Sequence, residues 1–403
     1  MKNNMCPYSA LLSFFLALYM GLWPLSAGSG YGLSQILNFL LLFVVIILLV
    51  LAIVTRKLVS IKLNMSLCMF VIAPMIIASI YVVSSFKNGF DLISLAKAAL
   101  WLTPLLIVVA LWNVGINKSL MIKVWFGVGL ISNIIITFFI ASFDPAVGKF
   151  YALLPGFEIS SNTLSVYLVF SVVIPAVFLF KSTSALRLYL IMPFIHFSKS
   201  HVAIYIVSVI FGSCFSKRRM FLLLCAGALL IFILILVGAN ADEIRIFIPV
   251  YLVKSVGKLV IACEIVYNFF VLGELPVFSV FISQVGDGLR ASIYNAALSN
   301  LEVAWPLGAT PEEIDQIFSG YDFHNMFFFF YYQTGIAGLL LYLAIIFAPL
   351  HIANKADKRI RFLVGFSCSY LLARGLFISI DPVRTSVLLA TLSYMSCLRS
   401  VRQ

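Results

Sequence analysis

His324 and Asn325 stand side by side just ahead of the aromatic and apolar run 326–350. Arg290 precedes them, in a stretch that opens a helical pattern through Tyr294, Leu298 and Leu301. An imidazole of ordinary pKa accepts a proton near neutrality, and a guanidinium is a permanent cation. Together they suit removal of a proton from a substrate beside a stabilised negative charge. A lone histidine at the start of an apolar run is also common as a structural residue. Other cations occur where an apolar chain has least reason to keep them. Lys199 sits between Ser198 and Ser200, with His196 and His201 nearby. Arg374 lies within the apolar run 361–380, and Arg245 follows the run 220–238. A cation at membrane depth costs several kcal/mol without a partner, water or a function, so each is a candidate for holding an anion. Each also has a plain alternative. Lys199 can snorkel to the headgroups, and Arg374 can pair with Asp381. Arg384, in Asp381-Pro382-Val383-Arg384, reads as an ordinary loop charge. No His, Asp or Glu cluster has metal-ligand spacing, so no metal and no cofactor is expected.

The elements that must position these residues are helices in a bilayer. The 403-residue chain is 63% hydrophobic and 10% charged, whereas a soluble domain carries about 25% charged residues. Apolar runs recur along its length, and about 20 apolar residues cross a bilayer as a helix. Backbone groups in lipid need partners within their own segment. Runs such as 39–54 do not alternate as barrel strands would, so the fold class read from the sequence is an all-α polytopic membrane protein. The net charge of +12 does not indicate nucleic acid, because the basic residues sit in short loops between spans. The seven cysteines are scattered and read as small buried hydrophobes. Residues 1–27 resemble a signal peptide but read better as an uncleaved first span, because the remaining topology works with it.

The spacing predicts spans at 7–26, 35–54, 64–83, 92–112, 120–141 and 161–180, a helical hairpin at 188–215 turning near 196–201, and spans at 220–238, 326–350, 361–380 and 385–398. That is about 12 transmembrane helices, each of roughly bilayer length. With the N-terminus inside, 17 of the 27 lysines and arginines fall on the cytoplasmic side, as the positive-inside rule requires. Both termini are then cytoplasmic. The hairpin keeps Lys217-Arg218-Arg219 inside; one long span there would invert every later loop. The organisation expected is an N-terminal bundle over 1–238, an outer loop with short helices over 239–325, and C-terminal spans over 326–403. A loop of that length carrying its own helices is usually functional.

The order of features in the second half resembles the O-antigen ligase and polymerase superfamily of bacterial envelope proteins. These carry a long periplasmic loop late in a polytopic chain. The resemblance rests on Arg290 opening a helix, the turn Trp305-Pro306-Leu307-Gly308, the pair His324-Asn325, and Gly335-Ile336-Ala337-Gly338 beyond them. It covers roughly 188–398. The family's Ser-Arg-Gly turn between two spans corresponds to Ser198-Lys199-Ser200, a departure in which lysine keeps the charge but loses the bidentate fork. The resemblance implies a metal-independent glycosyltransferase in the bacterial inner membrane, acting on undecaprenyl-diphosphate-linked oligosaccharide. In that chemistry His324 acts as base and Arg290 as catalytic cation. Lys199, Arg374, Arg245 and Asn325 bind diphosphate or substrate. Besides the lipid bilayer, it implies a chain-length regulator and a flippase as partners, and no nucleic acid. Two activities share this frame: a polymerase that adds to a growing glycan, and a ligase that moves the glycan to lipid A core. The short Arg290-to-His324 segment favours the polymerase. A transporter of the same lipid is the non-enzymatic alternative, disfavoured because the chain shows no paired halves.

Overall fold

The computed structural model describes residues 8–28, 31–55, 65–87, 90–144, 149–152, 161–180, 199–247, 260, 263–264, 267–272, 288–318, 325–376 and 381–400. Several of the helices that form on apolar runs are opened by capping side chains. The described helices are α1 (Ser9–Gly21), α2 (Trp23–Gly28), α3 (Tyr31–Val54), α4 (Met65–Lys87), α5 (Leu92–Asn113), α6 (Lys118–Ile135), α7 (Ser161–Leu168), α8 (Ile174–Leu179), α9 (Lys199–Ser216), α10 (Met220–Ala239), α11 (Ala241–Phe247), α12 (Gly288–Ser299), α13 (Pro311–Phe318), α14 (Met326–Ala353), α15 (Lys358–Gly375) and α16 (Pro382–Ser400). Asp91 caps α5 through the amides of Ile93 and Ser94, each at 2.9 Å. Asn117 caps α6 and Asp357 caps α15 in the same way. These side chains accept from amides that the first helical turn leaves unpaired.

Five stretches are long and apolar enough to cross a membrane: Gln35–Val54, Cys68–Lys87, Leu92–Asn113, Lys118–Ile140 and Met326–Ala353. The fold is accordingly that of a helical membrane protein. Helices also occupy the expected positions near the N-terminus, at 161–179, at 220–239 and beyond 358; the one at 220–239 has 20 residues with no charge among them, and the others are shorter or more polar. The first of them is broken at Leu22, so α1 has only 13 residues, a rise of about 20 Å. The hairpin expected at 188–215 is described only from Lys199 onward. There the chain is one unbroken helix to Ser216, so residues 199–201 are already helical. The rest of the expected turn lies outside the described residues.

Among the described residues, one antiparallel ladder departs from the helical pattern. The π-turn Ile136–Ile140 ends α6 and leads into an antiparallel ladder of Ala141–Asp144 (β1) with Lys149–Ala152 (β2). Phe143 lies opposite Phe150, and Asp144 opposite Lys149. A second π-turn, Val169–Val173, joins α7 to α8. It lies beside a close helix approach, where a Cβ on Gly129 would strike the Ser171 carbonyl. Asn133 bonds across this contact, donating to Gly129 O and to Ser171 Oγ, both at 2.7 Å.

The chain divides into two compact units, residues 1–216 with 337–403, and residues 217–336. In the first, α9 packs along α15, α4 along α5, and α1 along α6. Gly212 and Gly365 face each other where α9 crosses α15. The guanidinium of Arg361 then closes the end of α9, donating to Ser216 O from Nε at 3.1 Å and from Nη2 at 2.8 Å. In the second unit, α12 and α13 pack together.

Candidate functional site

In the second unit the short motifs of the long loop are brought together by backbone contact. After α12 the chain makes a single 3-10 turn, Leu301–Ala304, and then the turn Trp305-Pro306-Leu307-Gly308, whose Trp305–Pro306 peptide is cis. The Gly308 amide donates to Ala304 O at 2.9 Å, and the Ala309 amide to Tyr332 O at 2.8 Å. Gly308 has φ +100° and Gly335 has φ +67°, conformations open to glycine and costly for L side chains. Space imposes the same choice. A Cβ on Gly335 would strike the Pro306 carbonyl, and one on Gly308 would strike the Gln333 carbonyl. The Pro306 turn is therefore seated backbone against backbone in a break in α14 at Gly335.

The aromatic run after Asn325 ties α14 to α12. Tyr332 donates its hydroxyl to Ala297 O at 2.6 Å, and Tyr331 to Leu301 O at 2.7 Å. The Phe318 ring meets Tyr332 edge-on at 5.0 Å, and Tyr294 packs on Phe328 at 5.6 Å. The Ala297 carbonyl lies in the last turn of α12, where a helix leaves its carbonyls without partners of its own. Tyr331 and Tyr332 are thus joints between structural elements. Asn325 is buried and caps α14, its Oδ1 accepting from the amides of Phe327 at 2.9 Å and Phe328 at 3.1 Å.

The remaining expected site residues are divided between the two units. His324 lies outside the described residues. Arg290 is in the first turn of α12, in the same unit as Asn325, and Arg245 is in α11 of that unit. Lys199 is the first residue of α9, in the other unit. The side chains of Arg290, Arg245 and Lys199 are outside the described residues. Arg374 is in the last turn of α15 and fully buried in the first unit. An anion would reach it only by entering between helices.

The first unit also holds a buried polar cluster that the sequence reading missed. Arg384 is not a loop charge: it lies in the first turn of α16 and is 0% exposed. Its guanidinium carbon is 4.8 Å from the centre of the Tyr19 ring and 5.8 Å from that of Trp23, within cation–π range. Its Nε is 3.7 Å from Asp381 Oδ2, while Asp381 Oδ1 caps α16 at the amides of Val383 and Arg384. The Tyr19 hydroxyl donates to Asn38. Trp23 stacks on Phe170 at 5.0 Å, Phe170 meets the Tyr370 ring edge-on at 5.5 Å, and Tyr370 interacts electrostatically with Arg374. Nearby, Tyr342 and Thr385 share a hydrogen bond of 2.7 Å. The signal for Arg384 was present in Asp381-Pro382. A cap residue followed by proline at the first helical position places Arg384 inside a helix rather than ahead of it.

Among the described residues, no group of three or more His, Cys, Asp or Glu side chains is arranged to hold a metal ion. Compared with known proteins, the chain matches no family model and no curated protein.

Proposed function

We propose that the chain is a surface-polysaccharide polymerase of the bacterial inner membrane, joining undecaprenyl-diphosphate-linked glycan repeat units at the periplasmic face. The reading includes about 12 spans of bilayer length, cytoplasmic termini and a periplasmic loop over 239–325. One observation supports it most. The turn at Pro306 is seated on Gly335, and the helix that Arg290 opens is bonded to the helix that begins just after His324. Residues that are far apart in sequence and short on individual signal thus belong to one packed unit.

The chemistry proceeds from those residue types. A hydroxyl oxygen of the acceptor sugar attacks the anomeric carbon of the donor glycan. The bond from that carbon to the diphosphate oxygen breaks, and its electron pair leaves with undecaprenyl diphosphate. His324 takes the hydroxyl proton. Arg290, with Arg245 of the same unit as a further cation, offsets the charge developing on the diphosphate. Asn325 caps the start of α14.

The test is an assay of purified protein with lipid-linked oligosaccharide. Glycan lengthening with release of undecaprenyl diphosphate is expected, falling by about 100-fold or more in His324→Ala and Arg290→Ala. Full activity in both variants would reject this site. A deletion strain separates the related activity, since polymerase loss leaves one repeat unit on the lipid A core and ligase loss leaves a bare core.

A further inference from the structure

Trp305 stands apart from the other four tryptophans of the chain. Trp23, Trp101, Trp112 and Trp125 are at most 3% exposed, whereas Trp305 is 64% exposed. Its backbone is nonetheless fixed. The Trp305 amide donates to Glu302 O at 3.1 Å, and Ala304 and Ala309 on either side of the turn are buried. The turn they bracket is the one seated on Gly335. An indole held outward on a fixed backbone loses little freedom on binding, so it presents an apolar face already in place for a flat partner.

The surroundings decide which partner. Glu302, Glu312, Glu313 and Asp315 are all exposed in the same stretch, and no lysine or arginine occurs anywhere in 291–354. A surface of anionic headgroups attracts basic segments. A carboxylate-rich, cation-free stretch repels such a surface. Carboxylates instead accept hydrogen bonds from hydroxyl groups. A ring with an apolar face and a rim of hydroxyls, which is a pyranose, satisfies both features.

We propose that Trp305 is a carbohydrate-stacking platform, taking a sugar ring of the glycan against its indole while Glu302 and Glu312 accept from that sugar's hydroxyls. This deepens the reading of the chain as a glycan-joining enzyme and rests on it. Glu313 is less free for the role, because its carboxylate accepts from the Thr310 amide at 2.7 Å as part of the cap of α13.

The test uses the full-length protein in lipid vesicles, with Trp305→Phe as the reference that isolates the Trp305 fluorescence. The probe is the host strain's own surface polysaccharide, cut by mild acid to soluble repeat-unit oligosaccharides. These should change the Trp305 emission saturably and protect it from aqueous acrylamide. Trp305→Ala should weaken oligosaccharide binding about tenfold, read by calorimetry, with Trp305→Phe falling between it and wild type. In the lengthening assay, Trp305→Ala should raise KM by a similar factor and leave kcat within about twofold. Strong quenching by brominated phosphatidylcholine together with no response to oligosaccharide would assign Trp305 to the bilayer surface and overturn the platform. Unchanged oligosaccharide affinity in Trp305→Ala would also overturn it. A wild-type protein that binds oligosaccharide at Trp305 but lengthens no glycan would reject the polymerase and leave the platform standing.

Discussion

Arg384 shows how a single charge is kept inside an apolar bundle. Its cost of burial is offset by one carboxylate and two ring faces. Removing one partner leaves the other uncompensated, which is worse than having neither. Asp381→Asn and Arg384→Met should therefore each lower stability by about 2 kcal/mol. That is below the range for fully sealed pairs, because the Asp381 side chain is 23% exposed. The double variant should recover part of the loss. Melting of the detergent-solubilised protein checks this, and simple additivity would show that the two groups do not act as a pair. Asp91 behaves differently because it lies outside the span that it caps. The Ser94 hydroxyl, bonded to Oδ2 at 2.6 Å, leads the interactions that hold its carboxyl below the ordinary aspartate value. A depressed pKa contributes stability that is present above the unfolded carboxylate pKa and is lost as the pH falls through the folded value. Asp91→Asn keeps a capping oxygen without that titration. The gap in melting temperature between wild type and Asp91→Asn should therefore shrink on acidification below about pH 4.

Among the elements, those with side-chain punctuation were the legible ones. Caps at Asp91, Asn117, Asp357 and Asp381 put helix starts within three residues of where the apolar runs begin. The π-turns at 136–140 and 169–173 and the β1–β2 ladder carry no such mark, and the break at Leu22 is marked only by Pro24 beyond it. In a soluble helix, the apolar stripe would reveal a change of winding. In lipid, the outward face is as apolar as the inward one, so periodicity says little about which residues pack. The site was legible in part for the same reason. Gly308 and Gly335 could be singled out as a motif, but their mutual contact depends on backbone geometry that no residue type announces. Gly335→Ala combines a forbidden backbone conformation with a collision at the Pro306 carbonyl. It should cost about 3 kcal/mol or more and open the Trp305 turn to protease. Gly227→Ala is the matched control, because a Cβ there meets nothing within 4 Å. It should be neutral or slightly stabilising, by up to about 1 kcal/mol. Equal protease sensitivity in the two variants would show that the turn does not depend on the break in α14.

For the whole molecule, the sidedness of the charges is the feature most open to direct measurement. Labelling of single cysteines in a cysteine-free background should modify Glu302→Cys from outside intact spheroplasts. Lys57→Cys and Lys358→Cys should react only after the membrane is opened. Labelling of all three from one side would invert or abolish the proposed topology, and with it the periplasmic reaction. The π-turn Val169–Val173 adds a consequence for how such a chain tolerates changes in length. It winds one surplus residue into a helix whose flanking turns keep their orientation. A deletion inside Val169–Val173 would let the coil relax to ordinary pitch with Asn133 and Ser171 still in reach of each other. The same deletion a turn earlier would rotate everything before it by about 100° relative to the remainder of the span. A change of one residue in length is thereby absorbed at a slack point that lies beside a close crossing, at Gly129 and Ser171, rather than away from it.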